Sequence, residues 1–223
     1  MENISSQYSL DDLFASIDHV SLNDRLLEWA GILALENKEW PVAEKIFILL
    51  LERRQKVLDL VGLAKSLRMQ EKLKEAEECY LECLDKIKKP CSLLFIVYKA
   101  LGEIYLLNNN LSQAEEFYNK ASTINPKCKS LLFARAFLFL KDKNYKEAEK
   151  YFQAYLESHI QSSKAWLGLA VARKNLGDRE LAKACLKKCL DFNPKNLQVL
   201  KLEQKWEEEF LNGSLSPAFS FSA

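Results

Sequence analysis

Two cysteine pairs, Cys79 with Cys83 and Cys185 with Cys189, stand four residues apart, a spacing that stacks two sulfurs on one helix face as metal coordination requires. A structural zinc needs four donors together, and the two pairs are far apart in the chain. The thiols therefore read as small buried residues and no metal is expected. The histidines His19 and His159 fall in connections with no Ser or Cys signature beside them. The carboxylate runs Glu77-Glu78, Glu115-Glu116 and Glu207-Glu208-Glu209 follow the solvated faces of helices, and no glycine-rich phosphate loop is present. Nothing supplies nucleophile, base and orienting group together, so neither catalysis nor a cofactor is expected.

The elements that carry these residues are helical. The 223 residues are 48% hydrophobic and 28% charged, with six Gly and five Pro, a composition of soluble helices joined by few tight turns. A balance of 32 Lys+Arg against 31 Asp+Glu gives no overall charge to steer the chain to nucleic acid or anionic lipid. No basic stripe with interleaved aromatics is present, which argues against nucleic-acid binding. The polar start, Met1 to Leu10, shows no secretory pattern, the longest apolar runs are too short to cross a bilayer, and the six cysteines suit a reducing compartment. Together these imply a cytoplasmic protein with no membrane insertion.

Self-similarity organises the chain. Ala114, Ala148 and Ala182 are 34 residues apart in matching strings, and Ala76 and Ala43 continue the series at spacings of 38 and 33. A fixed period of this length marks stacked units that bury apolar faces against their neighbours. Tyr98, Leu101, Gly102, Tyr105, Ala114, Tyr118, Ala121 and Pro126 fill one period; Trp166, Leu169, Ala170, Ala182 and Pro194 fill another. Small residues belong where two helices approach closely, and aromatics fill the space between units. Asn108-Asn109-Asn110, Lys143-Asn144 and Gly177-Asp178 lie between helices, where Asn and Asp can cap the following helix; Ser112 with Glu115 forms a capping-box pattern, and Pro41 suits a first helical turn.

This pattern resembles the tetratricopeptide repeat. The resemblance implies an all-α, right-handed superhelical solenoid of about five helix-turn-helix units, 24–56, 57–94, 95–128, 129–162 and 163–196. A capping helix over 197–211 follows, with Val199, Leu202, Trp206 and Phe210 on one side. An amphipathic helix within 1–23 carries Leu10, Leu13, Phe14 and Ile17, behind a Ser9 and Asp12 cap. It is expected to pack on the first repeat or on a second copy of the chain. Residues 212–223 read as a flexible tail whose Leu215, Phe219 and Phe221 could occupy the groove or bridge two copies, giving a homodimer.

The resemblance also implies that the first helix of each unit lines a concave groove for a protein or peptide client. Its outward offsets select Leu58, Val61, Lys65, Ile96, Lys99, Leu106, Phe133, Phe137, Leu140, Lys164, Leu167, Val171 and Lys174, with Arg25, Glu28, Ile32, Arg68 and Glu103 beside them. Phe133, Phe137 and Leu140 look like surplus apolar surface, edged by lysines. The Lys and Asn pair that clamps a chaperone's C-terminal carboxylate is missing, so that client class is not expected. The chain also resembles the small class II secretion chaperones, which have about three repeats. A chaperone-like holder is expected, with a structural adaptor subunit as the alternative.

Overall fold

The computed structural model describes residues 23–89 and 91–211, and among these all regular structure is helical. The first helices of successive pairs are α1 (Asp24–Glu36), α3 (Val57–Met69), α5 (Ser92–Leu107), α7 (Lys129–Lys141) and α9 (Ser163–Leu176). Their second helices are α2 (Trp40–Arg54), α4 (Leu73–Lys86), α6 (Leu111–Ile124), α8 (Tyr145–Leu156) and α10 (Arg179–Phe192), and α11 (Leu197–Leu211) follows. The chain divides into two compact units, up to Ile104 and from Tyr105 onward. The N-terminal helix and C-terminal tail expected from the sequence, and His19, lie outside the described residues.

One turn geometry recurs inside every pair. Lys38, Glu71, Asn109, Lys143 and Gly177 all have positive φ, between 60° and 92°. In each case the next residue's N–H donates five residues back: Glu39 to Ala34, Lys72 to Leu67, Asn110 to Tyr105, Asn144 to Phe139 and Asp178 to Arg173, at 2.8–3.0 Å. This is the left-handed helix stop that satisfies a terminal carbonyl. Only Gly177 adopts it without a Cβ penalty. The side chains of Asn110 and Asn144 then accept from the N–H groups of Gln113 and Glu147, so the cap of α6 is Asn110 and the Ser112–Glu115 capping box is not formed. Asp178 makes no side-chain cap bond, and Pro41 sits in the first turn of α2.

Each unit has its own core. In the first, Leu27, Ala34, Val42, Ala43, Ile46, Phe47 and Leu50 join α1 to α2. Gly62 admits Phe47 so closely that an added Cβ would lie 2.4 Å from the ring. At the base of α3, buried Asp59 accepts two bonds from the Arg54 guanidinium, at 2.6 and 2.8 Å, and Arg54 also reaches Glu28 at 2.9 Å. The buried carboxylate is thereby fully paired. In the second unit a cluster runs from Ala136 through Phe152 and Leu169 to Trp206 of α11. α11 buries Val199, Leu202 and Trp206 and turns Lys201, Lys205 and Glu208 to solvent.

Candidate partner-binding surface

The first unit offers an open apolar surface on its first helices. Ile32, Leu58 and Ile96 are exposed, at 44, 49 and 47%, and Lys65 stands exposed on α3 without an ion pair among the described residues. Lys99 is half-buried and donates to Glu103 at 2.6 Å, while Arg68 reaches the other Glu103 oxygen at 2.8 Å. Glu28 is held by Arg54. Of the charged residues expected to meet a ligand here, Lys65 and Arg25 are exposed, whereas Glu28 and Arg68 pair with residues of neighbouring helices and Lys99 pairs with Glu103 within α5. Val61, expected on the open surface, is buried.

In the second unit the expected apolar surface is an aromatic stack only half open to solvent. Phe133 and Phe137 on α7 meet each other edge-on at 4.8 Å, and Phe137 meets the fully buried Phe152 of α8 edge-on at 5.2 Å. Tyr155 lies 4.7 Å from Phe133 and stacks on His159 at 4.4 Å. Aromatic pairs in these arrangements are attractive beyond their burial. Leu167 of α9 is half-buried against the same cluster and Lys164 is exposed. Leu106 is half-buried, with its carbonyl accepting from Lys141 at 2.9 Å. Lys174 is committed to Glu209 and lies 4.7 Å over the Trp206 ring of α11.

Leu140 and Val171, also expected on the surface, are core residues. The reason is the packing of consecutive first helices against each other, α1 on α3 and α7 on α9, which covers the residues along their seam. The open part of the expected set thus reduces to Leu58, Lys65, Ile96 and Lys164, with Leu106, Phe133, Phe137 and Leu167 half open.

The cysteine pairs are built into second helices. Cys83, Cys185 and Cys189 are buried. Burial pushes the Cys79 thiol up to about 11 and Cys83 to about 12, and nearby carboxylates add to the effect. Cys185 and Cys189 are also raised by burial. The Cys185 sulfur accepts from Arg173 at 3.3 Å, and Cys189 lies 3.0 Å from the Ser163 hydroxyl. Among the described residues no group of three His, Cys, Asp or Glu side chains is placed to hold a metal. No described helix is long and apolar enough to cross a membrane.

Sequence reasoning missed Arg135. It occupies the periodic position held by buried Leu101 and Leu169, 34 residues to either side. Its guanidinium sits 5.1 Å from the Tyr151 ring and 5.9 Å from Phe139, and its Nε is buried without an acceptor. Tabulating that single position across the periods would have found it.

Comparison with known proteins agrees with this architecture. The tetratricopeptide repeat family model matches residues 97–128 and 163–196. Those two segments match tetratricopeptide repeats by sequence, and the fold of the described chain is that of tetratricopeptide repeat proteins. Among solved structures, YrrB, described as a TPR protein with an unusual peptide-binding site, superposes with a TM-score of 0.62 at 16% identity, covering 88% of this chain and 98% of YrrB. TTC0263, a thermophilic TPR protein of Thermus thermophilus, gives 0.64 at 18% identity over 83% of this chain and 100% of its own. The APC/C hetero-tetramer Cut9-Hcn1 gives 0.73 at 16% identity over 90% of this chain and 39% of that one. A search of curated proteins by sequence returns no match.

Proposed function

We propose that this chain is a non-catalytic, cytoplasmic protein-binding module that holds a peptide or helix of a client protein against its first helices, in the manner of a chaperone. The observation that carries the reading is the set of exposed apolar side chains Ile32, Leu58 and Ile96 on successive first helices beside the unpaired Lys65. Isolated surface leucines are ordinary, but a row on one face of consecutive helices suits the spaced anchors of an amphipathic segment. Lys65 would favour acidic residues flanking those anchors. The peptide-binding site described for YrrB, a protein of the same fold, is consistent with this use. Nucleic acid and membrane are not expected partners.

The structural-adaptor alternative has one observation in its favour: Ile48, Leu81 and Leu181 are exposed on second helices. Photo-crosslinkers at Leu58 and at Leu81, in full chain expressed in its native host, separate the two readings. The client-holding reading expects adducts from Leu58 that map to one amphipathic peptide. Leu58→Glu with Ile96→Glu should weaken that peptide at least about tenfold by calorimetry and leave the melting temperature unchanged, since both residues are exposed. Adducts from Leu81 alone, or undiminished affinity in the double variant, would overturn it.

A further inference from the structure

Four arginines among the described residues are half-buried: Arg54, Arg68, Arg135 and Arg173. Three of them meet carboxylates. Arg54 holds Asp59 at 2.6 Å, Arg68 holds Glu103 at 2.8 Å and Arg173 holds Glu149 at 2.9 Å. Arg135 has no ion pair among the described residues. Its contacts are aromatic: the Phe139 ring of its own helix and the Tyr151 ring of α8, which stack on each other at 5.3 Å. Its Nε is buried with no acceptor, whereas its Nη groups are not buried and keep their donors free. Glu147 lies one turn before Tyr151 on α8 but turns to Lys150 at 3.5 Å. Such a guanidinium costs the fold stability. The equivalent Leu101 and Leu169 are buried, so this position takes an aliphatic side chain in the neighbouring units, and a cation here loses hydration that no described carboxylate restores. A residue that departs from the repeat's own rule with no compensating partner in the fold points to function.

We propose that Arg135 is an anchoring site for the carboxylate of an acidic side chain in a partner polypeptide. The Nη groups of a guanidinium present a planar set of donors that fits a carboxylate, and the contacts with Tyr151 and Phe139 hold that plane in place before a ligand arrives. Both rings are half-buried and offer apolar contact to the methylenes of a glutamate. Carboxylate is also the partner that this chain itself supplies to its other three half-buried arginines. The site is separate from the client surface proposed above. Arg135 belongs to the second unit, whereas Ile32, Leu58 and Ile96 belong to the first, and its position is that of buried Leu101 and Leu169 rather than one of the outward offsets of the first helices.

The side-chain Nε–H resonance of Arg135, assigned in the labelled full chain by its loss in Arg135→Leu, gives the readout. The probes are capped hexaglutamate and, at matched ionic strength, capped hexaglutamine and inorganic phosphate. Hexaglutamate should move the resonance saturably and the other two should not. Arg135→Leu should weaken hexaglutamate at least about tenfold by calorimetry, the scale of a charge-assisted pair, while raising the denaturation midpoint. Arg135→Lys keeps the charge but loses the planar donors, and should also weaken it. An unmoved resonance, or affinity kept in either variant, would overturn the assignment. An equal response to phosphate would overturn it in favour of a general anion site, and a lowered midpoint in Arg135→Leu would overturn it in favour of a structural role.

Discussion

Gly168→Ala tests the close approach on which the second unit's packing depends. A Cβ built at Gly168 lies 2.2 Å from Cζ of Phe152 and 2.6 and 2.7 Å from its Cε atoms, far inside van der Waals contact. The ring has nowhere to retreat, because Phe152 is fully buried and is met edge-on by both Phe133 and Phe137. Overpacking of this severity costs about 3 kcal/mol, the upper part of the usual range. Alanine in place of a mid-helix glycine returns about 1 kcal/mol through helix propensity. The net expectation is a loss of about 2 kcal/mol. Urea unfolding followed by circular dichroism should show it as a lower midpoint at unchanged slope, and the melting temperature should fall by about 4–8 °C. Phe152→Leu in the same chain should relieve the clash, so the double variant should be more stable than the sum of the two single losses. A neutral or stabilised Gly168→Ala would refute the argument, because propensity alone would then be acting.

Other expectations follow from the same contacts. Lys143→Gly should raise stability by about 0.5–1 kcal/mol, since glycine adopts the left-handed turn without the Cβ penalty; an unchanged melting temperature would contradict this. Arg135→Leu restores the residue type of the neighbouring periods and removes a buried Nε with no acceptor. It should stabilise by about 1 kcal/mol after the lost cation–π contacts are deducted, and a lower denaturation midpoint would count against it. Iodoacetamide at pH 8 should label exposed Cys91 well before buried Cys83, Cys185 and Cys189, as peptide mapping would show. The Cys79 and Cys83 thiols are raised in the fold, so their contribution to stability is present below the unfolded thiol's pKa of about 8.5 and is lost as pH rises toward about 12. Chemical denaturation between pH 8 and 11 should show that decline, and replacing both cysteines by alanine should flatten it. Phe133→Glu with Phe137→Glu should lower the melting temperature, because both rings pack on Phe152.

The amino-acid sequence by itself determined the helix pairs. Ala43, Ala76, Ala114, Ala148 and Ala182 mark where the second helix of each pair must approach closely, and packing between sequence neighbours is what a fixed period encodes. The same reading placed the capping Asn144, narrowed the cap of α6 to the run Asn108-Asn109-Asn110, and gave the apolar side of α11. It could not say which first-helix positions stay open. Leu58, Ile96 and Lys164 share one outward position of the repeat and stay exposed, whereas Val61, Leu140 and Val171, at other positions of the expected outward set, are buried in the tertiary structure. That difference arises because exposure depends on how consecutive first helices cross, a relation between elements that no single repeat carries. For the same reason the aromatic rings of Phe133 and Phe137 became half core and half surface only once α8 was laid against α7.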